Sequence, residues 1–102
     1  MSKLPETKVV VAMENMLKIA ADATRLKIMF VLLDDEQNEK CVNDICQSIN
    51  ASQSLVSHQL RILKDADLVN TRKEGTKIYY SLKDEHVREL INVVQEHVLE
   101  RI

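Results

Sequence analysis

The sequence predicts a mainly α protein with a small two-stranded β wing, and three observations carry that expectation. The 102-residue chain has one Gly, one Pro, one Phe and no Trp, so breakers and aromatics are too scarce for a β-sandwich. Apolar residues recur at helical spacing along most of its length. The period changes to two only once, in "VNTRKEGTKIYYSL". The length suits a single domain over residues 1–102, near the size where one core suffices.

Taken in order, Val9, Met13, Met16, Leu17 and Ala20 place a first helix over about Lys8 to Ala21. Asp22 is a good N-cap for a second helix whose apolar run ends at Leu33. The acidic "DDEQNE" that follows reads as a solvated loop. "CVNDICQSI" is long enough for a short helix that Asn50 can end. Ser52 caps a longer one, over about 52–67. The alternating stretch, about 69–82, forms a hairpin with Val69, Ile78 and Tyr80 inward and a pivot at Glu74-Gly75, where the only Gly supplies a positive φ. Ser81 or Asp84 caps a last helix over about 84–101. Four helices, a hairpin and a helix, with a short helix, a tight turn and a longer helix before the hairpin, describe a winged helix-turn-helix.

Composition sets limits on function. Apolar residues make up 45% and charged residues 29%, an ordinary globular balance. The longest apolar run, Ile28 to Leu33, is far short of the ~20 residues that cross a bilayer. The N-terminal apolar stretch is too short for a signal peptide, so a cytoplasmic location and reduced cysteines are expected. With a net charge of −2, nucleic-acid binding must come from a local patch.

Such a patch exists. Ser54, Ser57, His58 and Arg61 fall at i, i+3, i+4 and i+7, one narrow polar stripe, opposite Leu55, Val56, Leu60, Ile62, Leu63 and Ala66. Small hydroxyls and a His near a helix N-terminus allow close entry into a major groove. From Ser54 to Tyr80 there are five Lys/Arg against three acids, within an otherwise acidic chain.

"ADATRLKIMFVLL", "EKCVNDICQSINASQSLVSHQLRILKDADLV" and "RKEGTKIYYSL" together resemble the ArsR/SmtB family of metal-sensing repressors. The resemblance runs from about residue 14 to residue 100, and "SQSLVSHQLRIL" is its most specific piece. Ala23 departs from the proline that usually opens the family's second helix; either residue suits that position. The resemblance implies a homodimer packed through the first and last helices. By position, Ser54, Ser57 and His58 become groove-facing residues, and Arg72, Lys73 and Lys77 wing contacts to phosphate or the minor groove. It also implies that the metal-free dimer represses from double-stranded operator DNA, an inverted repeat. Metal binding then releases the DNA and derepresses a metal exporter or storage gene.

"DEHVRELINVVQEHVLE" shows how a metal site could arise. His86 and His97 are eleven residues apart, about 20° beyond three full turns and ~16 Å along the axis. Zinc ligands lie within ~2.0–2.3 Å of the ion, so one ion cannot touch both histidines of one helix. His97 and Glu100 are adjacent at i, i+3, and Asp84 can join His86 if it sits at the non-helical cap. A second copy run antiparallel brings Asp84 and His86 of one chain to His97 and Glu100 of the other, twice per two-fold dimer. Val87, Leu90, Ile91, Val94 and Val98 are expected to pack the two helices. The family has such an interhelical site, and this chain shows its Glu version.

Two imidazoles and two carboxylates suit Zn(II) as allosteric effector, with Co(II) as a substitute. Nickel would want more ligands, and the first 13 residues supply no His or Cys. The competing reading is a thiol or arsenite sensor through Cys41 and Cys46. These align with two of three cysteines in the family's arsenic-type motif, with Asn43 in the middle place. Five residues apart they do not share a helix face, so both are expected to be mainly buried packing residues. A second alternative is a winged-helix regulator without metal response. Four protein ligands leave no open position for catalytic water, so an enzyme or a small organic substrate is not expected. For His97 the second imidazole N–H should find an acceptor near the end of the DNA-reading helix, around Asp67.

Overall fold

The structure, a computed structural model, describes residues 3–34 and 39–102. Most of the "DDEQNE" expectation, residues 35–38, lies outside them. The element order is α1 (Thr7–Ala20), α2 (Ala23–Val31), β1 (Lys40–Cys41), α3 (Val42–Ile49), α4 (Gln53–Asp65), β2 (Val69–Glu74), β3 (Lys77–Leu82) and α5 (Glu85–Leu99). Among the described residues no helix is long and apolar enough to cross a membrane.

The helix starts follow from capping. Asp22 Oδ2 accepts from the Arg25 amide at 3.1 Å, Ser52 Oγ from Leu55 at 3.2 Å and Asp84 Oδ1 from Val87 at 3.0 Å. Asn50, at φ 55, ends α3 in the left-handed region and turns the chain toward α4 within three residues. Asp67, at φ 64, does the same after α4. Gly75, at φ 61, makes the hairpin turn.

The core is built by Ile28, Met29 and Leu32 of α2, Ile45 of α3, and Val56, Leu60 and Leu63 of α4, closed by Leu68, Val69 and Leu82. Leu55, expected on the apolar side of α4, is exposed at its flank. The hairpin pairs Val69 with Leu82 and Glu74 with Lys77. Val69, Tyr80 and Ile78 therefore share one face as expected. Burial fades along it, however, because the wing outgrows the body: Val69 and Leu82 are buried, Tyr80 is half-buried and Ile78 is exposed.

The sheet has three strands, ordered β1-β3-β2, rather than the expected two. Lys40 pairs with Tyr80 and Cys41 with Tyr79. A two-residue strand has no readable period, so nothing in the sequence marks it. It matters because β1 runs straight into α3 and so ties the wing to the helix-turn-helix. Lys40 is itself buried, with Nζ 3.1 Å from Asp34 Oδ2.

Two elements depart from self-contained packing. In α1 only Ala20 is buried, while Val9, Val10, Val11, Met13, Met16 and Leu17 are exposed. In α5, Val87 and Ile91 belong to the chain's own core, which corrects their expected place in a helix–helix interface. Leu90 is half-buried, and beyond it Val93, Val94, Val98 and Leu99 are exposed. The first half of α5 is core and the second half is bare.

Candidate nucleic-acid interface and metal centre

The Ser52 cap fixes where α4 begins and thus which residues its outer face carries. Ser54, Ser57, His58 and Arg61 are all exposed along it. Among the described residues no carboxylate lies within ion-pair distance of Arg61, Lys73 or Lys77. Their charges therefore face solvent. A groove of about 330 Å³ separates the starts of α3 and α4 from the wing; Asn43, Gln53 and Ser57 line one side and Thr76, Lys77 and Ile78 the other. Gln53, Asn43 and Thr76 were not singled out from sequence. Gln53 precedes the stripe by one position, and the other two come close only through the fold.

Arg72 sits differently. Its Nε donates to Glu39 Oε2 at 3.0 Å and to Oε1 at 3.2 Å, its Nη1 donates to Glu74 Oε2 at 2.9 Å, and its guanidinium carbon lies 4.9 Å from the centre of the Tyr79 ring. The hydrogen bonds it donates to Glu39 first and Glu74 second raise the pKa of the guanidinium beyond its already high value.

Asp84 does two things at the start of α5. One oxygen caps the helix, and the other, Oδ2, lies 3.9 Å from His86 Nδ1. Two donors on one tetrahedral zinc would be about 3.3 Å apart given its ~2.0–2.1 Å bonds, somewhat closer than this pair stands. His97 lies in the last turn and Glu100 is the C-cap residue; both are exposed. Within one chain no three His, Cys, Asp or Glu among the described residues come together as a metal cluster. The four candidate ligands thus form two pairs at opposite ends of α5. Asp67, around which an acceptor for His97 is expected, has Oδ1 3.1 Å from Lys83 Nζ.

Cys41 and Cys46 are free thiols, both half-buried. Cys46 packs against the core. Cys41 caps α3 instead: its amide approaches Asp44 Oδ2 at 3.4 Å and its sulfur lies 3.1 Å from the same oxygen. It also borders the groove beside the wing rather than the interior.

Fold and exposed face together define a winged helix-turn-helix protein. Its residues 22–71 match the family model described as "Bacterial regulatory protein, arsR family". The chain is 45% identical over 74 residues to a cadmium resistance transcriptional regulatory protein CadC homolog of Staphylococcus aureus, covering 72% of this chain and 60% of that protein. It is 44% identical over 80 residues to a transcriptional repressor SmtB homolog of Synechocystis, covering 78% and 58%. To the arsenical resistance operon repressor of Bacillus subtilis it is 38% identical over 79 residues, covering 78% and 73%. The chain thus spans about three-fifths of the length of the first two relatives. A homodimeric winged helix-turn-helix DNA-binding domain from Mycobacterium bovis, a possible ArsR-family transcriptional regulator, superposes with a TM-score of 0.82 at 29% identity, covering 100% of this chain and 94% of that one. The chain belongs to the ArsR family.

Proposed function

We propose that the chain is a metal-responsive transcriptional repressor. As a metal-free homodimer it binds an inverted-repeat operator, and Zn(II) at the dimer interface weakens that binding. The observation that carries this reading is the division of α5. Each end holds half a ligand set, and the intervening bare surface continues the helix's buried stripe. Exposed apolar residues on α1 and on the second half of α5 supply a surface for a second copy.

Asp84 and His86 of one chain would hold Zn(II) together with His97 and Glu100 of the partner subunit. A bound ion would supply a link between the two α5 helices. This chain's own part is the fixed Asp84 cap, the exposed imidazoles and the core contact at Val87 and Ile91. On the DNA side, Ser54, Ser57, His58 and Arg61 enter the major groove while Lys73 and Lys77 meet phosphates. The relatives' names speak of cadmium resistance and arsenical resistance, which supports a metal or metalloid effector. The choice of zinc rests on the donor set.

The test is operator selection from a random duplex library, followed by titration with Zn(II), Co(II), Cd(II) and arsenite. The reading expects release by zinc, a factor of about 5–150 in DNA affinity. Equal DNA affinity with and without every metal would leave only a winged-helix regulator.

A further inference from the structure

We propose that Arg72 is a positioning residue and not a DNA contact: with Glu39 it clamps the wing to the strand that leads into α3, and phosphate contacts fall to Lys73 and Lys77. The proposal rests on the DNA-binding reading above.

The cluster's charge is the first reason. With Nε donating to Glu39 and Nη1 to Glu74, much of the guanidinium's donor capacity and charge is already taken up, so an approaching phosphate finds less to bind than at an uncovered arginine. Lys73 and Lys77 form no ion pair among the described residues, although Lys77 stands across the hairpin from Glu74.

Topology is the second reason. Arg72 and Tyr79 are cross-strand partners, and Tyr79 in turn pairs with Cys41. Glu39 immediately precedes β1, so the Glu39–Arg72 ion pair reaches over β3 from the first strand to the last. It shares a face with the Tyr79 ring beneath the guanidinium. The wing is also joined to the body by the two-residue β1 pairing, by the buried base at Val69 and Leu82 and by Tyr80 against the core, but its outer half from Arg72 to Ile78 is exposed. A wing held at one angle to α4 presents its lysines already ordered, so a loosened wing must be ordered on binding and loses affinity while keeping its phosphate contacts. Tyr79 and Glu74 hold the guanidinium in plane, which is a task for arginine's rigid fork and not for lysine's single ammonium.

The test uses the full chain and a random-sequence duplex, so that no operator need be known. Affinity is measured against salt concentration, whose log–log slope falls by about 0.9 for each phosphate that the protein ceases to neutralise. Lys73→Ala and Lys77→Ala should each reduce the slope. Arg72→Ala should weaken binding with the slope unchanged, and Arg72→Lys should not rescue it. Glu39→Ala gives opposite signs for the two readings. It loosens a clamp and weakens binding, whereas it would free a phosphate ligand and tighten it. Hydrogen exchange of the β2 and β3 amides in the free protein reads the clamp without DNA. It should accelerate several-fold in Arg72→Ala and Glu39→Ala, with no further gain in the double variant. A lowered slope in Arg72→Ala, or tighter binding by Glu39→Ala, overturns the proposal. If the wild-type chain binds no duplex at all, the DNA reading falls instead, and unchanged wing exchange would then sink the clamp on its own.

Discussion

Arg25 Nη1 donates to Gln59 Oε1 at 2.8 Å, while Nε of the same guanidinium donates to the Ile19 carbonyl at 2.7 Å. One mostly buried side chain on α2 thus joins the end of α1 to the middle of α4. The helix that presents the bare apolar face and the helix that presents the polar stripe are fastened through it. Arg25→Ala should lower stability by about 2 kcal/mol or more, since two hydrogen bonds from a charged group disappear together. Arg25→Lys should recover only part of this, because an ammonium cannot span both acceptors. Urea unfolding at one fixed protein concentration checks both. A double-mutant cycle with Gln59→Ala should show a coupling of about 0.5–3 kcal/mol.

Leu60 is fully buried at the centre of the core. Leu60→Ala is expected to cost about 2–5 kcal/mol, the range for a buried leucine whose cavity collapses incompletely. The urea midpoint should fall with little change in slope. A change within error would mean that α4 is not seated as described.

The proposed division of ligands between chains makes a complementation prediction. His86→Ala and His97→Ala homodimers should each bind no zinc at the α5 sites. Mixing the two chains should restore one site per heterodimer, built from the intact Asp84 and His86 end of one chain and the intact His97 and Glu100 end of the other. Native mass spectrometry counts the ions directly. A site contained within one chain would give none in any mixture. Zinc should also dissociate on acidification, as protons compete for the imidazoles.

Gly75 has φ 61 and open space where a Cβ would stand. The limit there is backbone conformation and not room. Gly75→Val should therefore destabilise the hairpin by about 1 kcal/mol or more, whereas Gly75→Asn, which tolerates the left-handed region, should cost less. Thermal unfolding compared across the two variants separates the explanations; equal effects would argue against conformation as the cause.

Much of this architecture is legible in the residues. Asp22 and Ser52 announce two helix starts because a short polar side chain before an apolar run has a specific amide to satisfy, and of Ser81 and Asp84 the structure chooses Asp84 for a third. Gly75 announces the hairpin for an equally local reason. What stays hidden is non-local. A two-residue β1 carries no period, so neither the third strand nor the reach of Glu39 to Arg72 is visible, and Arg72 reads as one more wing cation. Glu74 alone could have warned of it, two places along the same strand face. Periodicity also says that Val87, Ile91, Val94 and Val98 share a stripe on α5. It does not say that the body ends between Ile91 and Val94, giving the first pair to the core and leaving the second outside.

That boundary within α5 has a thermodynamic consequence. In the proposed dimer, a helix with one end in the interior and the other against a second chain cannot be melted in halves at no cost to either. On that reading folding and association share a single equilibrium, and the melting midpoint should climb as the protein is concentrated. Val94→Asp should erase that dependence while leaving the interior intact. The amount of protein in solution would thus be one of the quantities that decide how stable the molecule is.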